Sequence, residues 1–429
     1  MAAPSNISPV KAQYESLPYP SRDPEDERST LFRTWLDELP MINHYCFRGK
    51  QTFRSRFRAL VAGGGTGDAT IFLAEQLRHT DAAVVHLDLS AASIDIARRR
   101  AQVRGLRNIE WVNDSLLNLP ASGLGQFDYV NCAGVLHHLE DPDAGLRALL
   151  AVTRAEGALG IGVYAKYGRT AVYQMQSLLR MLNQHSAGAA DKIRTAREVL
   201  AVAPQSNWFM RTQDLHQDHK LGDAALFDLL LHSQDCAYTV PELYEWFEDR
   251  HGLQIQLTDL GRGRSAYVPE LAVGPERPQF LETAARMPVR DQYAVGELLR
   301  GDIITHSFFA TRSASASAPY GDAEYVPVLF HEPVTGPELA TLIDRNGNQP
   351  FMLNHVHTGV SARLDPGRYG KHVLAHLDGK RTFAEIFARV RNDVSSAPDD
   401  EHLFADFRPL FDLLTAIERL LLRHRSVVV

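Results

Sequence analysis

Cysteine is scarce in this 429-residue chain, which contains only Cys46, Cys132 and Cys236. These three residues are too few and too widely separated for a disulfide framework or for a zinc site. The chain also lacks an apolar run near the ~20 residues that a membrane-spanning helix needs. Its N-terminal segment has no positive charge followed by an apolar core, so it does not read as a secretory signal. The sequence therefore predicts a reduced, cytoplasmic protein that does not associate with membranes.

An excess of positive charge is also missing, because the formal net charge is -7. This balance argues against a broad electrostatic surface for nucleic acid or for anionic membranes. Hydrophobic residues make up 45% of the chain and charged residues 23%, a composition typical of soluble globular domains. The length predicts about two to three such domains.

Predicted strands alternate with predicted helices in the first half of the chain. The strands are FRALVAG, AAVVHLDLS, NIEWVND, FDYVNCAG and ALGIGVYA. Strands that alternate with helices of this length predict an α/β fold, in which a parallel sheet carries helices on both faces. Ligands of such sheets bind at the carboxyl ends of the strands.

The alternation stops after Tyr167, and residues from about 170 to 250 are predicted to be mostly helical. The segments LQIQLTDL and DIITHSFFATR then predict two closing strands of the same sheet. The helical stretch is therefore interpreted as an insertion that caps the sheet after its fifth strand. A smaller helical insertion is predicted at 275–300.

The strongest chemical signal is VAGGGTGDATIFLAEQL, residues 61–77. A strand that runs through glycines into a helix lets a ligand lie against bare backbone at the turn. Asp88 ends the second strand, where its carboxylate can accept hydrogen bonds from both hydroxyls of a ribose. Asp114 ends the third strand, where it could meet an adenine amino group.

A nicotinamide-dependent oxidoreductase would share several of these features. However, its fingerprint needs a third glycine three residues after the second, and here that position is Asp68. A carboxylate at the start of the helix would repel the pyrophosphate of a dinucleotide. A phosphate-free cofactor would meet no such obstacle.

The motifs GGGTG, HLDLS, Asn113–Asp114 and FDYVNCAGVLHHLEDP resemble, in order and spacing, those of bacterial class I S-adenosylmethionine-dependent methyltransferases. The resemblance covers about residues 55–165. It implies a Rossmann-like methyltransferase sheet, S-adenosylmethionine as cofactor and S-adenosylhomocysteine as product. The cofactor-binding residues that it implies are Gly63, Gly65, Thr66, Gly67, Asp88, Leu89, Asp114, Ser115, Gly134 and Val135. Of these, Gly134 and Val135 would line the floor beneath the methyl sulfonium.

One position departs from the family pattern. The family usually carries Asp or Glu two residues before the first glycine, and here Val61 occupies that position. This departure keeps open a non-catalytic protein that binds the cofactor in a regulatory role. Asp88 is likewise open to a structural interpretation, as the N-cap of the following helix.

The methyl acceptor is predicted to be a small molecule or a peptide or protein side chain. The candidate catalytic residues are Tyr164, Tyr167 and His138, and the candidate acceptor contacts are Tyr14, Tyr19, Lys166 and Arg169. Structural alternatives are that His138 only begins a helix and that the tyrosines only pack the cap. No metal site is predicted, because His216 and His219 are interpreted as part of a solvated face.

The domain organisation follows from these segments. We predict an N-terminal arm or lid at 1–50, a methyltransferase domain at 51–312, a linker at 313–322 and an accessory α+β domain at 323–429. The stretch LDGKRTFAEIFARV in the accessory domain resembles small winged-helix-like modules. It shows no basic recognition helix, so nucleic acid is not expected as a partner. A homodimer is left open.

Overall fold

A computed structural model describes residues 9–186, 188–259, 262–274, 276–331, 333–355 and 359–427 of the chain. Contacts within the chain divide it into two compact units. Unit 1 comprises Met1–Asp37, Phe53–Thr239 and Gly301–His306, and unit 2 comprises Glu38–Thr52, Val240–Arg300 and Ser307–Val429. Among the described residues, no helix combines the length and the hydrophobicity needed to span a membrane.

The strands are β1 Arg58–Ala62, β2 Ala83–Asp88, β3 Ile109–Asn113, β4 Phe127–Ala133, β5 Thr153–Tyr164, β6 Gln254–Thr258, β7 Thr305–Thr311, β8 Tyr325–Leu329, β9 Phe351–His355, β10 Val360–Leu364 and β11 Leu420–His424. Seven of them form one sheet in the order β3-β2-β1-β4-β5-β7-β6, and β9–β10 and β8–β11 are separate antiparallel pairs. The class of fold predicted from the sequence is thereby confirmed.

The helices are α1 Pro9–Ser16, α2 Leu39–Cys46, α3 Asp68–Gln76, α4 Ala91–Arg104, α5 Pro142–Val152, α6 Thr170–Leu182, α7 Ala189–Val202, α8 Trp208–Thr212, α9 Asp223–Leu230, α10 Val240–Leu243, α11 Pro269–Ala272, α12 Phe280–Ala284, α13 Val289–Arg300, α14 Gly336–Arg345, α15 Gly370–Ala375, α16 Phe383–Asp393 and α17 Asp400–Ala416. A π-helical turn, Tyr244–Asp249, continues α10.

Unit 1 contains the five parallel strands β1 to β5. Strand β1 lies in their middle, with β2 on one side and β4 on the other, and the residues of β1 and β2 are almost all buried. Parallel strands that are covered on both faces are expected to be hydrophobic along their whole length rather than alternating. The carboxyl ends of β1, β2 and β4 therefore lie side by side, and they carry the turn after β1, Asp88 and Ala133.

The predicted helical cap is formed by α6 to α9. Its own core contains Val172, Met175 and Leu179 of α6 together with Phe209 of α8 and Leu226 of α9. Because α6 repeats its apolar residues every three to four positions, one of its faces is buried against the other cap helices. The cap therefore has a hydrophobic core separate from that of the sheet.

Unit 2 contains β6, β7 from Ser307 onward, the two small sheets, α2 and the helices α10 to α17. The aromatic residues Phe383, Phe387 and Phe407 lie in its C-terminal core. Two of its helices, α14 and α16, begin with capping boxes, in which a threonine and a glutamate satisfy each other's backbone N–H groups. The winged-helix likeness of this region stays a prediction.

The boundaries of the two units differ from the predicted domain boundaries. Residues 38–52 belong to unit 2 because they bond to C-terminal residues, as when the Leu422 N–H donates to Nδ1 of His44 at 2.9 Å. Within the predicted linker, Ala316 and Ala318 are buried, and the Ala318 N–H donates to the His44 carbonyl at 2.7 Å. The small residues of this segment pack against α2 of unit 2.

Candidate active site

The turn after β1 passes from Gly63 to Gly67 and leads into α3. Gly63 has a φ of +76°, and a Cβ atom on it would lie 2.4 Å from Cγ2 of Val135. The Gly65 N–H donates to Oδ2 of Asp88 at 2.7 Å. The turn is therefore closed against the end of β4 on one side and tied to the end of β2 on the other.

Asp88 is held by two backbone donors. Oδ1 accepts from the Ser90 N–H at 2.8 Å, while Oδ2 accepts from Gly65. Burial raises the pKa of Asp88, and these N–H groups act in the opposite direction. The N-cap of α4 is Ser90, whose hydroxyl accepts from the Ser93 N–H, so Asp88 does not have the N-cap role. Because each carboxylate oxygen can accept two hydrogen bonds, both keep capacity for a ribose.

The edge of the sheet between the glycine turn, Asp88 and the end of β4 is accessible to solvent. Ala133 and Gly134 at the end of β4 are exposed, and a Cβ atom on Gly134 would have no other atom within 4 Å. Gly63, Gly65, Asp88 and Leu89 are partly exposed. Bare backbone beside a carboxylate with free lone pairs suits the aminoacyl and ribose parts of S-adenosylmethionine.

The polar side chains at the end of the third strand bond to neighbouring residues of the chain. Oδ1 of Asp114 accepts from the Ser115 N–H and from Nδ2 of Asn118, each at 2.7 Å. The Ser115 hydroxyl accepts from the Leu117 N–H and begins the short 3-10 helix Leu116–Ala121. Both side chains thus have structural partners, and their adenine role stays a prediction.

The N-terminal arm contacts the glycine turn directly. The Thr66 hydroxyl donates to the Pro20 carbonyl at 2.7 Å, and a Cβ atom on Gly65 would lie 2.8 Å from the Tyr19 carbonyl oxygen. The Glu15 carboxylate accepts from the Ala91 and Ala92 N–H groups at 2.8 and 3.2 Å. An acidic group at the start of a helix is stabilising there. The arm therefore packs against the glycine turn and the start of α4. We call the glycine turn, Asp88 and Gly134, where the cofactor is predicted to bind, the cofactor edge.

Asp68 has a different role from the one predicted. Its carboxylate pairs with Arg22 at 2.7 Å and with Arg100 at 2.6 Å, and the two guanidinium groups hold its pKa below the usual value against the effect of burial. The expected repulsion of a pyrophosphate is wrong as stated, because two cations offset the charge. What still disfavours a dinucleotide is the missing third glycine.

A buried ion pair anchors the same arm and was not found from the sequence. Glu27 and Arg100 have side-chain exposures of 0% and 1%, and their closest atoms are 2.6 Å apart. Arg104 also bonds to the Glu27 carboxylate. The acidic run DPEDE gave no sign that only one of its carboxylates would be buried.

The buried carboxylate of Asp37 bonds to the sheet near the position where the family usually has an acidic residue. Val61 pairs with Asn131 in the β1–β4 register. The amide of Asn131 donates to both oxygens of the buried Asp37 at 2.9 and 3.0 Å. The N-terminal segment thus supplies a buried acidic group to the strand that pairs with Val61, and no sequence motif pointed to it.

Tyr14, His138, Tyr164, Asp228 and His232 meet in what we call the tyrosine–histidine cluster. The Tyr14 hydroxyl donates to Oδ1 of Asp228 at 2.8 Å, and the Tyr164 hydroxyl faces Oδ2 at 3.4 Å. The imidazoles of His138 and His232 stack with ring centroids 3.8 Å apart. Burial raises the pKa values of both tyrosines and of Asp228. The arm, the end of β4, the end of β5 and the cap each contribute to this cluster.

The backbone of Gln234 sets the tautomers of the two stacked histidines. Its carbonyl lies 2.9 Å from Nδ1 of His138, which must therefore carry the proton. Its N–H donates to Nδ1 of His232 at 3.1 Å, so in that neutral ring the proton lies on Nε2. Burial lowers the pKa values of both rings to about 4, so both are neutral at pH 7. Their hydrogen-bonding roles are thus opposite.

The same hydrogen bonds bear on metal binding. His138, Asp228 and His232 form a group whose potential ligand atoms all lie within 4.8 Å of one another. However, the single lone pair of a neutral His232 accepts from Gln234 and is not available to an ion. The geometry therefore favours a hydrogen-bonded cluster over a metal site.

Tyr164 is held between two flat groups. His137 stacks on its ring at 3.7 Å between centroids, and Cζ of Arg169 lies 3.5 Å from the ring centroid. At such distances the two groups must occupy opposite faces. Arg169 is buried, 3.8 Å from Asp235, so its side chain fixes Tyr164 instead of facing an open site.

The remaining candidates have different surroundings. Lys166, a predicted acceptor contact, and Tyr167, a predicted catalytic residue, are exposed. Tyr19 is half-buried, and burial together with the negative charges of Asp218 and Asp228 raises its pKa, so it lies within electrostatic reach of the cluster. Asp228 and Gln234 are functional candidates that no sequence pattern indicates. They lie in the cap, more than sixty residues beyond the last motif, and neither is part of a recognisable pattern.

Comparisons with known proteins identify the family of the chain. A methyltransferase-domain family matches residues 60–159. An uncharacterized protein of Synechococcus sp., syc1184_c, is 30% identical over 338 residues, which cover 78% of each chain. The ubiquinone biosynthesis O-methyltransferase of Escherichia coli is 26% identical over 233 residues, covering 52% of this chain and 92% of that one.

The fold also matches a solved structure. PKMT2 of Rickettsia typhi, in complex with AdoHcy, superposes with a TM-score of 0.60 at 15% identity, and covers 92% of this chain and 76% of that one. The sheet order, the glycine turn and the family match define a cofactor-binding α/β enzyme fold. The chain belongs to the class I S-adenosylmethionine-dependent methyltransferases, and S-adenosylmethionine is the cofactor of that family.

Proposed function

We propose that this chain transfers the methyl group of S-adenosylmethionine to a small-molecule acceptor or to a peptide or protein side chain. The observation that carries the proposal is Asp88, whose two oxygens are oriented by the Gly65 and Ser90 N–H groups beside an exposed strand edge. An acceptor oxygen is favoured by the name of the Escherichia coli relative, an O-methyltransferase.

The residues at the carboxyl ends of β1, β2 and β4 would bind different parts of the cofactor. Asp88 would accept hydrogen bonds from the ribose, and the Gly63–Gly67 turn would receive the aminoacyl part. Gly134 and Val135 would support the reacting end, which supplies an electrophilic methyl group on a sulfonium. The chain's own contribution is then to hold the acceptor in line with that methyl group and to exclude water, and such positioning is a large source of rate enhancement.

Calorimetric titration with S-adenosylmethionine and S-adenosylhomocysteine tests the proposal. We expect Asp88→Ala to weaken both by about 10²- to 10⁴-fold, since it removes two hydrogen bonds to a charged group at about 1.5–3 kcal/mol each. The matched control is Asp95→Ala, which removes an exposed carboxylate of α4 and should leave the affinities unchanged.

Transfer of a labelled methyl group separates the remaining alternatives. Binding of the cofactor without transfer to any acceptor would favour the regulatory role that Val61 left open. Absence of binding, together with a fluorescence response to NADH, would favour the oxidoreductase instead.

A further inference from the structure

One nitrogen in the tyrosine–histidine cluster has a lone pair with no partner. The Nδ1 proton of His138 is donated to Gln234, so its lone pair is on Nε2. No hydrogen bond to this atom comes from the described residues, and the atom is not sealed from solvent. Both ring nitrogens of the adjacent His137, in contrast, are sealed and without a partner. Of the two consecutive histidines, only His138 can meet a ligand.

The backbone places His138 within one helical turn of Val135, at the predicted reaction centre. The His138 N–H donates to the Val135 carbonyl at 2.9 Å within the short 3-10 helix Leu136–His138. Val135 is the residue that would lie beneath the methyl group. On the opposite side, the Tyr14 carbonyl accepts from the Ser90 hydroxyl, two residues beyond Asp88. The cluster is thus tied to both sides of the cofactor edge.

We propose that Nε2 of His138 is the general base for methyl transfer and that the reacting group of the acceptor is a phenolic hydroxyl. The proposal rests on the proposed function, which it narrows to a substrate class. The phenol's O–H bond breaks and its proton goes to Nε2 of His138, while an oxygen electron pair forms the bond to the methyl carbon. The methyl–sulfur bond breaks with its electron pair left on sulfur. The positive charge of the sulfonium therefore ends on the imidazolium.

The charges around His138 favour this acceptor. Burial lowers the pKa of the ring to about 4, Arg169 acts in the same direction, and Asp235 opposes it. A base this weak is better matched to a phenol, with a pKa of about 10 as for tyrosine, than to a much less acidic aliphatic alcohol. The carboxylate that could pair with an ammonium acceptor is Asp228, and its oxygens already face the hydroxyls of Tyr14 and Tyr164.

The shape of the cluster also favours a phenolic acceptor. Its side chains other than Asp228 are planar rings, and the imidazole of His138 meets the ring of Tyr164 edge to face, with an interplanar angle of 89°. Aromatic rings prefer offset or edge-to-face contacts with other rings. A planar aromatic acceptor would therefore gain such contacts, whereas a flexible aliphatic chain would not.

The test compares two phenols of different acidity, 4-methylphenol and 4-nitrophenol, at pH 8. His138→Asn keeps an amide donor for the Gln234 carbonyl but removes the base. We expect it to lower kcat/KM for 4-methylphenol by about 10²- to 10⁴-fold, and by less than about 10-fold for 4-nitrophenol, which is already ionised. The matched control, His232→Asn, should lower both values equally and by less than about 10-fold.

A second measurement does not depend on turnover. Nitrogen-15 NMR of the wild-type protein should show His138 with its proton on Nδ1 and His232 with its proton on Nε2. Adding 4-nitrophenol with S-adenosylhomocysteine should shift the Nε2 signal of His138. The variants should bind S-adenosylhomocysteine within about twofold of the wild-type affinity, a change far smaller than one general base contributes.

Several outcomes would overturn the proposal. Equal losses for both phenols in His138→Asn would leave that residue with a structural role only. Methylation of an amine probe but of no phenol, or an unshifted His138 signal, would exclude the acceptor class. Loss of activity with EDTA would indicate a metal instead of a base. If S-adenosylhomocysteine does not bind at all, the failure lies in the proposed function itself.

Discussion

The glycine turn and the tyrosine–histidine cluster both belong to unit 1, but contacts of different range hold them in place. The Gly65 backbone N–H donates to the Asp88 carboxylate across 23 positions of the chain. The cluster joins Tyr14 to Asp228 across 214 positions, through side chains alone. The first arrangement is a compact sequence motif. The second forms only when the arm and the cap pack against the sheet.

This difference has a consequence for substitutions. A change in the turn should affect the backbone and the cofactor together, because the same residues shape both. A change in the cluster should affect the acceptor while the cofactor edge keeps its backbone bonds. The expected effects decrease from Gly63 through His86 to Tyr14.

Gly63→Ala should have the largest effect. A Cβ atom there lies 2.4 Å from Cγ2 of Val135, and the residue has a φ of +76°. We expect the free energy of unfolding to fall by about 2–4 kcal/mol from the clash and the left-handed backbone combined, with loss of cofactor binding. The matched control is Gly123→Ala, with a φ of +71° and open space, which should cost about 1 kcal/mol.

Chemical denaturation of both variants, with calorimetric titration, checks this prediction. Adding Val135→Ala to Gly63→Ala should recover part of the stability, because it removes the colliding methyl group. Equal losses at Gly63 and Gly123 would mean that the turn is not closed against β4.

His86, under the glycine turn, should give the next largest effect through pH. Burial lowers its pKa to about 3, against about 6.5 in an unfolded chain. As pH falls below 6.5, the unfolded chain binds a proton at His86 and the folded chain does not, so stability decreases. Replacing it by Asn should remove on the order of 2 kcal/mol of the decrease between pH 6.5 and 5.

Denaturation midpoints measured across this pH range test the effect. The wild-type curve should be steeper than that of His86→Asn. Parallel curves would show that His86 is protonated in the folded protein, contrary to its burial beside Gly64, where a Cβ atom would lie 2.4 Å from the imidazole.

Tyr14→Phe should have the smallest effect and the most selective one. It removes the hydroxyl that donates to Asp228 at 2.8 Å and leaves the arm's backbone bonds intact. We expect the acceptor KM to rise by up to about 10-fold, because Asp228 loses a partner that orients it in the cluster, with cofactor affinity unchanged. Steady-state kinetics and calorimetry distinguish the two. A matching loss of cofactor affinity would contradict the separation of turn and cluster.

The glycine turn and the position of Asp88 at the end of β2 were predictable from the sequence because their parts are local in the chain, while their contacts with the cofactor stay a prediction. Glycines after a buried strand, and an acid at the end of the next strand, follow from strand-by-strand periodicity. The role of Asp68 was misread, because a residue's charge does not reveal the partners that offset it. Arg22 comes from the arm and Arg100 from α4, and neither position belongs to the motif.

The cluster was predictable only in part. Tyr14, His138 and Tyr164 were candidates because they lie in the arm or at the ends of strands. Arg169 was also a candidate for acceptor contact, but its ring contact with Tyr164 depends on a turn that no pattern specified. Asp228 lies on an apolar stretch of α9, where a lone carboxylate gives no indication of the tyrosines that will bond to it.

The sequence by itself determined the parallel sheet, the glycine turn and Asp88, because hydrophobic periodicity and backbone freedom are local properties of the chain. Only the tertiary structure decided which histidine keeps a lone pair. That choice depends on the position of the Gln234 backbone, and a backbone N–H or carbonyl is the same at every such position until the fold orients it.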